Sequence, residues 1–161
     1  MMTNAYILAL ILPLFTPDYN GAGDPEWNIV NQIDHATQTI YGQTYSFTSL
    51  HIESALIDAH KRGVAVVIVA DRSTTNNKSM LAKCSAAGIS CWLDCQHAIA
   101  HNKVIIIDGR IVIEGSFNFT EAAEHRNAEN ENIIISAQLA RLYTANWQKH
   151  RSHSLKYGAK Q

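Results

Sequence analysis

The sequence predicts an α/β domain: a mixed, mostly parallel β-sheet sandwiched between helices. Three observations predict it. Strand-like and helix-like stretches alternate up to about residue 93, the order that builds βαβ units. Val64 to Ala70 is an unbroken apolar run, the mark of a central strand covered on both faces. Asp108-Gly109 lies between the apolar runs 103–107 and 111–115, and Asp-Gly in that setting signals a two-residue hairpin, which makes the sheet mixed. A chain of 161 residues buries roughly 70% of its unfolded surface, enough for a real core. Residues 1–150 are expected to form a single domain and 151–161 a loose basic tail.

The elements follow in order. Residues 5–12 read as a buried first strand closed by Pro13 and Pro17. Asp24-Pro25 starts a helix, a cap followed by proline at the first helical position, with Trp27, Val30, Ile33 and Thr37 as its apolar stripe. Gln38 to Phe47, rich in Thr, Tyr and Ile, reads as a strand. Thr48 or Ser49 caps a second helix with the stripe Ile52, Leu56 and Ala59, ended by Gly63. After the Val64–Ala70 strand comes a polar loop, then a third helix through Leu81 and Cys84 to Gly88, and a short strand from Ile89 to Leu93. The hairpin, a short helical turn at 120–126 and an apolar strand at 133–136 precede a last helix carrying Leu139, Leu142, Tyr143 and Trp147 on one face.

Composition excludes some classes. The apolar fraction of 47% and charged fraction of 17% are those of a globular protein. A net charge of −1 by itself predicts no strong affinity for nucleic acid, but the charge is unevenly spread. Residues 1–60 hold six acids and no Lys or Arg, whereas from Asn132 onward there is no acid and Arg141, Lys149, Arg151, Lys156 and Lys160 give +5. The apolar run at 5–15 lacks a preceding positive charge and a cleavage site, and is shorter than the ~20 residues that span a bilayer. No stable membrane insertion is expected, and a cytoplasmic location is favoured over a periplasmic or secreted one. Three cysteines exclude a complete intrachain disulfide framework. Cys91, Cys95, His97 and His101 resemble a metal set only loosely. Metal ligation would disable His101 as a nucleophile, so no metal or other cofactor is expected. His150 and His153 read as surface residues.

Chemistry concentrates around the hairpin. His101 and Lys103 precede its first strand, and Ser116 and Asn118 follow its second. A neutral imidazole is a nitrogen nucleophile. An ammonium, a hydroxyl and a carboxamide stabilise oxygens that gain charge during phosphoryl transfer. The imidazole needs an acceptor to fix its tautomer, and the acids of the segment 126–131 are the candidates. Arg72 and Lys78, after the central strand, and His125 and Arg126, near the motif, are candidate substrate contacts.

The pattern His101-x-Lys103-x4-Asp108, followed after six residues by Gly115-Ser116-x-Asn118, resembles the signature of the phospholipase D superfamily, in particular its small single-motif bacterial endonucleases. Gly115-Ser116-Phe117-Asn118-Phe119-Thr120, Asn127-x-Glu129-Asn130 and Tyr45-Ser46-Phe47-Thr48 add to it, and the likeness runs from about residue 24 to 150. The resemblance implies His101 as nucleophile, Lys103, Ser116 and Asn118 as phosphate holders, Glu129 as the orienter of His101, structural roles for Asp108 and Gly115, and no metal. It also implies a nuclease on DNA or RNA, expected to be nonspecific because no base-reading element is visible in the sequence. The chain carries one copy of a motif whose mechanism needs two imidazoles. A two-fold homodimer with one composite site is therefore expected. Phospholipid cleavage, and nucleic-acid binding without catalysis, are the alternatives.

Overall fold

The computed structural model describes residues 7–75 and 79–158. In chain order the elements are β1 (Leu10–Thr16), α1 (Pro25–Asp34), β2 (Thr39–Thr44), α2 (Leu50–Lys61), β3 (Ala65–Asp71), α3 (Leu81–Ala86), β4 (Ser90–Asp94), β5 (Val104–Ile107), β6 (Ile111–Gly115), α4 (Glu121–His125), β7 (Glu129–Ile135), α5 (Ala137–His153) and β8 (Leu155–Lys156). One sheet of eight strands runs in the order β1-β7-β6-β5-β2-β3-β4-β8.

The sheet is mixed as expected, but mostly antiparallel rather than mostly parallel. Among the described strands, β2–β3 and β3–β4 pair in parallel, and the other five pairings are antiparallel. The physical reason lies in the connections. Parallel neighbours need a long crossover, usually a helix, and α2 and α3 supply two. The link from β4 to β5 contains no helix, and β5 returns beside β2 with Ile105 opposite Gly42. The tight turn to β6 and the return through β7 then keep the rest antiparallel.

Side-chain alternation explains the two covered faces. Ile105, Ile107, Ile111, Ile113 and Ile133 share a core with Ile29 and Ile33 of α1, Ile52 and Leu56 of α2, Leu81 and Cys84 of α3 and Ala123 of α4. Val104, Ile106, Val112 and Ile134 meet Ala140 and Trp147 of α5 on the other face. Trp147 stacks on Tyr41 at 4.5 Å between centroids and donates its indole N–H to the Gly42 carbonyl at 2.9 Å. The helix starts are read correctly where a hydroxyl caps them. Ser49 Oγ accepts the Ile52 N–H, and Thr120 Oγ1 accepts the Ala123 N–H.

Three other expectations change. The first strand is shifted to Leu10–Thr16 and runs through Pro13. It pairs only with β7, and an edge strand tolerates a residue without an N–H. Leu10, Ile11 and Leu12 are consequently exposed rather than buried. Residues 5 and 6 of the expected strand lie outside the described residues. Trp27 is 65% exposed, because α1 turns Asn28, Ile29 and Ile33 inward instead. The segment expected to be a loose tail continues α5 to His153 and then adds β8 to the edge of β4, with Leu155 opposite Leu93.

Candidate active site

The hairpin is built as its sequence dictates. Asp108 and Gly109 both take positive φ, 51° and 59°, the turn whose twist matches the flanking strands. The Asp108 carboxylate accepts the backbone N–H groups of Thr37, Gln38 and Thr39 at 2.9, 2.8 and 2.9 Å, and the Thr37 hydroxyl. Burial pushes its pKa up, but these donors outweigh burial and hold it below the usual carboxylate range. Asp108 therefore clamps the turn to the start of β2, at the end of β5 opposite His101.

At that opposite end, Asp71 of β3 accepts the Ala100 N–H at 2.7 Å and fixes the chain just before His101. Burial of Asp71 is outweighed by this bond and those from Ser73, so its carboxyl also stays below the usual range. Lys103 is buried, and its Nζ lies 2.8 and 3.0 Å from the two ring nitrogens of His101. The same Nζ donates to the His101 backbone carbonyl at 2.8 Å, which anchors the lysine against this residue. Burial lowers the Lys103 pKa, opposed by Glu129 and Glu131. Tyr45 lies against the imidazole with ring centroids 4.6 Å apart and 5.5 Å from Lys103 Nζ.

The second half of the motif reaches this end through register. Val104 pairs with Glu114, so the next step sets Lys103 beside Gly115. Ser116 donates its hydroxyl to Glu129, whose other oxygen accepts from Asn127 at 2.8 Å. Among the described residues, Glu129 makes no hydrogen bond to His101 within the chain; its carboxylate is held by Ser116 and Asn127. Asn118 has a buried Oδ1 with no partner. Phe119 accepts the Thr48 and Ser49 N–H groups, each at 2.9 Å, and so joins the two segments that carry the resemblance.

Gly115 is needed for a steric reason. A Cβ there would lie 2.2 Å from the Asn130 carbonyl oxygen and 2.4 Å from a carboxyl oxygen of Glu131. Sequence reasoning offered Glu131, with Glu129, only as an acceptor for the His101 imidazole. It is 0% exposed, and neither carboxyl oxygen has a hydrogen bond of normal geometry. Burial pushes its pKa up to about 9, helped by Glu114 and Glu129 and opposed by the Phe117 N–H and Lys103. The carboxyl is thus neutral at pH 7. Its one signal in the sequence is its place, two residues after Glu129 on the same side of a strand.

The remaining candidates are placed elsewhere. Arg72 is exposed in the turn after β3, and Lys78 lies outside the described residues. His125 lines a different cleft, with Glu26, Thr48 and His51, and Arg126 is exposed at the end of α4. Cys91 is buried and Cys95 exposed, both as free thiols. His97 turns to Asp94 rather than to them. His150 also meets Asp94, with its side chain 18% exposed, and is not the surface residue expected.

An imidazole, a buried lysine and a hydroxyl held by a carboxylate meet at one end of a mixed sheet, a set of groups suited to phosphoryl transfer. Comparison with known proteins agrees. The family model described as "Cardiolipin synthase, PLD-like domain" matches residues 29–151. A protein of Rickettsia felis named phospholipase D is 51% identical over 120 residues, covering 74% of this chain and 60% of that protein. A mitochondrial cardiolipin hydrolase of Chlamydomonas reinhardtii is 32% identical over 111 residues, which are 68% of this chain and 50% of that protein. The chain therefore spans about 60% of the length of the rickettsial relatives. Among solved structures, the phospholipase D family member Nuc from Salmonella typhimurium superposes with a TM-score of 0.85 at 35% identity, covering 94% of this chain and 100% of that one. NucT from Helicobacter pylori, at 22% identity and a TM-score of 0.82, supports the fold alone. The chain belongs to the phospholipase D superfamily, the class of phosphodiesterases that its motif resembles.

Proposed function

We propose that this chain is an endonuclease that cleaves phosphodiester bonds of DNA or RNA without base preference, as a two-fold dimer. His101 attacks phosphorus through a ring nitrogen, and the P–O bond to the leaving strand breaks. The leaving oxygen takes a proton from His101 of the second copy, which starts as the imidazolium and is left as the neutral imidazole. Water then attacks the phosphohistidine, giving its proton to that second imidazole and regenerating His101. Lys103 neutralises charge on the phosphoryl oxygens, Ser116 and Asn118 add hydrogen bonds to them, and Glu129 steadies the imidazole in the assembled dimer. No step uses a metal.

The observation that carries this reading is the direct contact of Lys103 with His101 in a chain holding one copy of the motif. The likeness to Nuc, complete over that chain, supports the nuclease assignment. The test is a panel of single- and double-stranded DNA, RNA and cardiolipin vesicles, with His101→Ala beside wild type. Acid-quenched reactions on labelled substrate detect a covalent phosphohistidine. Nucleic-acid cleavage that persists in His101→Ala, or no covalent adduct, would refute the mechanism.

A second reading keeps the chemistry and makes the substrate a phospholipid. The description of the family model and the names of the curated relatives support it. Among the described residues no helix is long and apolar enough to cross a membrane. Vesicle cleavage without nucleic-acid cleavage in the same panel would establish this reading instead.

A further inference from the structure

Four side chains that the phosphoryl-transfer site does not use meet where the end of β4 faces the last turn of α5. Asp94 closes β4 and is fully buried. His97 stands three residues on in the loop, and His150 and His153 stand one helical turn apart in α5. One carboxylate oxygen of Asp94 lies 2.9 Å from His150 Nδ1, 3.0 Å from His97 Nδ1 and 3.2 Å from His153 Nε2. The three imidazole centroids are 5.0, 5.3 and 5.5 Å apart. All four ligand atoms lie within 4.8 Å of one another.

As a purely hydrogen-bonded cluster this arrangement is poorly matched. His97 Nδ1 is shared between the two Asp94 oxygens, at 3.0 and 3.1 Å, and the second oxygen also accepts the Gln96 N–H, but the buried His153 Nε2 completes no hydrogen bond of normal geometry. A cation at the centre would satisfy all four groups together. We propose that Asp94, His97, His150 and His153 bind one divalent transition metal of the zinc class.

The donor set selects the ion. Three imidazoles and one carboxylate suit zinc and its neighbours rather than magnesium or calcium, which prefer all-oxygen shells. Tetrahedral ligands on bonds of ~2.0–2.1 Å lie about 3.4 Å apart. The three distances from Asp94 are already near that value, and the imidazoles close in by side-chain rotation. Four protein donors fill a tetrahedral shell and leave no position for substrate, so the site is structural. The spacing Asp94-x2-His97 and His150-x2-His153 is visible in the sequence, but nothing in it pairs the two halves. The metal would tie the loop that leads to His101 to the end of α5. It would also hold down the following β8, which pairs with β4.

The test uses the full chain without a histidine tag, stripped by chelator and titrated with Zn2+ by calorimetry and with Co2+ by visible spectroscopy. The expected result is one ion per chain, the intense visible bands of tetrahedral Co2+, and a higher melting temperature with Zn2+. His150→Gln/His153→Gln should lose the ion, whereas His101→Ala should keep it. His97 lies in an exposed loop, so His97→Gln should fold even if the double variant does not. It should bind more than about 100-fold more weakly, beyond the cost of losing an outer-shell partner. No stoichiometric metal on wild type, affinity unchanged in His97→Gln, or loss of the ion in His101→Ala would overturn the proposal.

Discussion

Glu131 offers the most direct quantitative test of the structure, because its burial has a thermodynamic sign opposite to that of most carboxylates. Its folded pKa is about 9 against an ordinary 4.5. The folded chain therefore binds one more proton than the unfolded chain between those values. By linkage, this group's contribution is fully present below pH 4.5 and is lost as pH rises towards 9. The slope is about 1.4 kcal/mol per pH unit, so between pH 5 and pH 8 the group removes about 4 kcal/mol. That is an upper figure, since water can enter once the charge forms. Glu131→Gln keeps the size and cannot ionise. Urea unfolding of both proteins at pH 5, 6, 7 and 8, at one protein concentration, isolates the term, because every other titrating group cancels in the difference. The Gln variant should gain on wild type by several kcal/mol across the series. Two stability curves that stay parallel would show that Glu131 ionises normally and that the described burial is wrong.

The other predictions concern the motif and its supports. Lys103→Met should lower kcat by about 10²–10³-fold, the usual cost of removing one group that stabilises transition-state charge, as read by steady-state cleavage. Asp108→Ala strips three backbone N–H groups of a charged acceptor and should cost about 2–4 kcal/mol by denaturant melt. Because the Asp108 pKa is lowered, its stabilisation is lost as pH falls below the carboxylate range, so the variant should also show a flatter acid limb. Gly115→Ala drives a Cβ into the Asn130 carbonyl and should destabilise by about 3 kcal/mol or more, with a melting temperature to match. Sedimentation should find the active species dimeric; an active monomer would remove the composite site.

What could be read in advance follows from the range of the interactions involved. Asp108-Gly109 announced its turn because the left-handed backbone is a local demand, and Ser49 and Thr120 mark helix starts because a capping hydroxyl bonds an N–H three residues on. The motif spacing placed His101 and Lys103 together because they are neighbours in the chain. The direction of β5 was not local. It depended on a helix-free link from β4, and alternation of apolar residues is the same in parallel and antiparallel strands. Trp27 was misplaced because a stripe at helical spacing does not say which neighbouring stripe faces in. The cluster of Asp94 and three histidines was missed because Asp94 and His97 come from the end of β4 and the loop after it, and His150 and His153 from a helix some fifty residues later.

The burial of Glu131 was not legible in the sequence for a further reason, and that reason bears on function. A carboxylate two residues from Glu129 reads as one more charge near a phosphate site, which would be a fault. With Glu129 and Glu131 both ionised, the single ammonium of Lys103 would be outnumbered in each half-site, and a phosphodiester would meet net negative charge. Burial against Gly115 removes that conflict by keeping Glu131 neutral. Lys103 and Glu129 then balance within each chain. In a two-fold dimer the phosphate would face two ammonium groups, each compensated by a carboxylate already bonded to Ser116. The glycine of the motif thus has a second consequence beyond its steric one. By admitting a carboxyl side chain into the space a Cβ would fill, it would, on the proposed mechanism, set the charge that a phosphodiester meets.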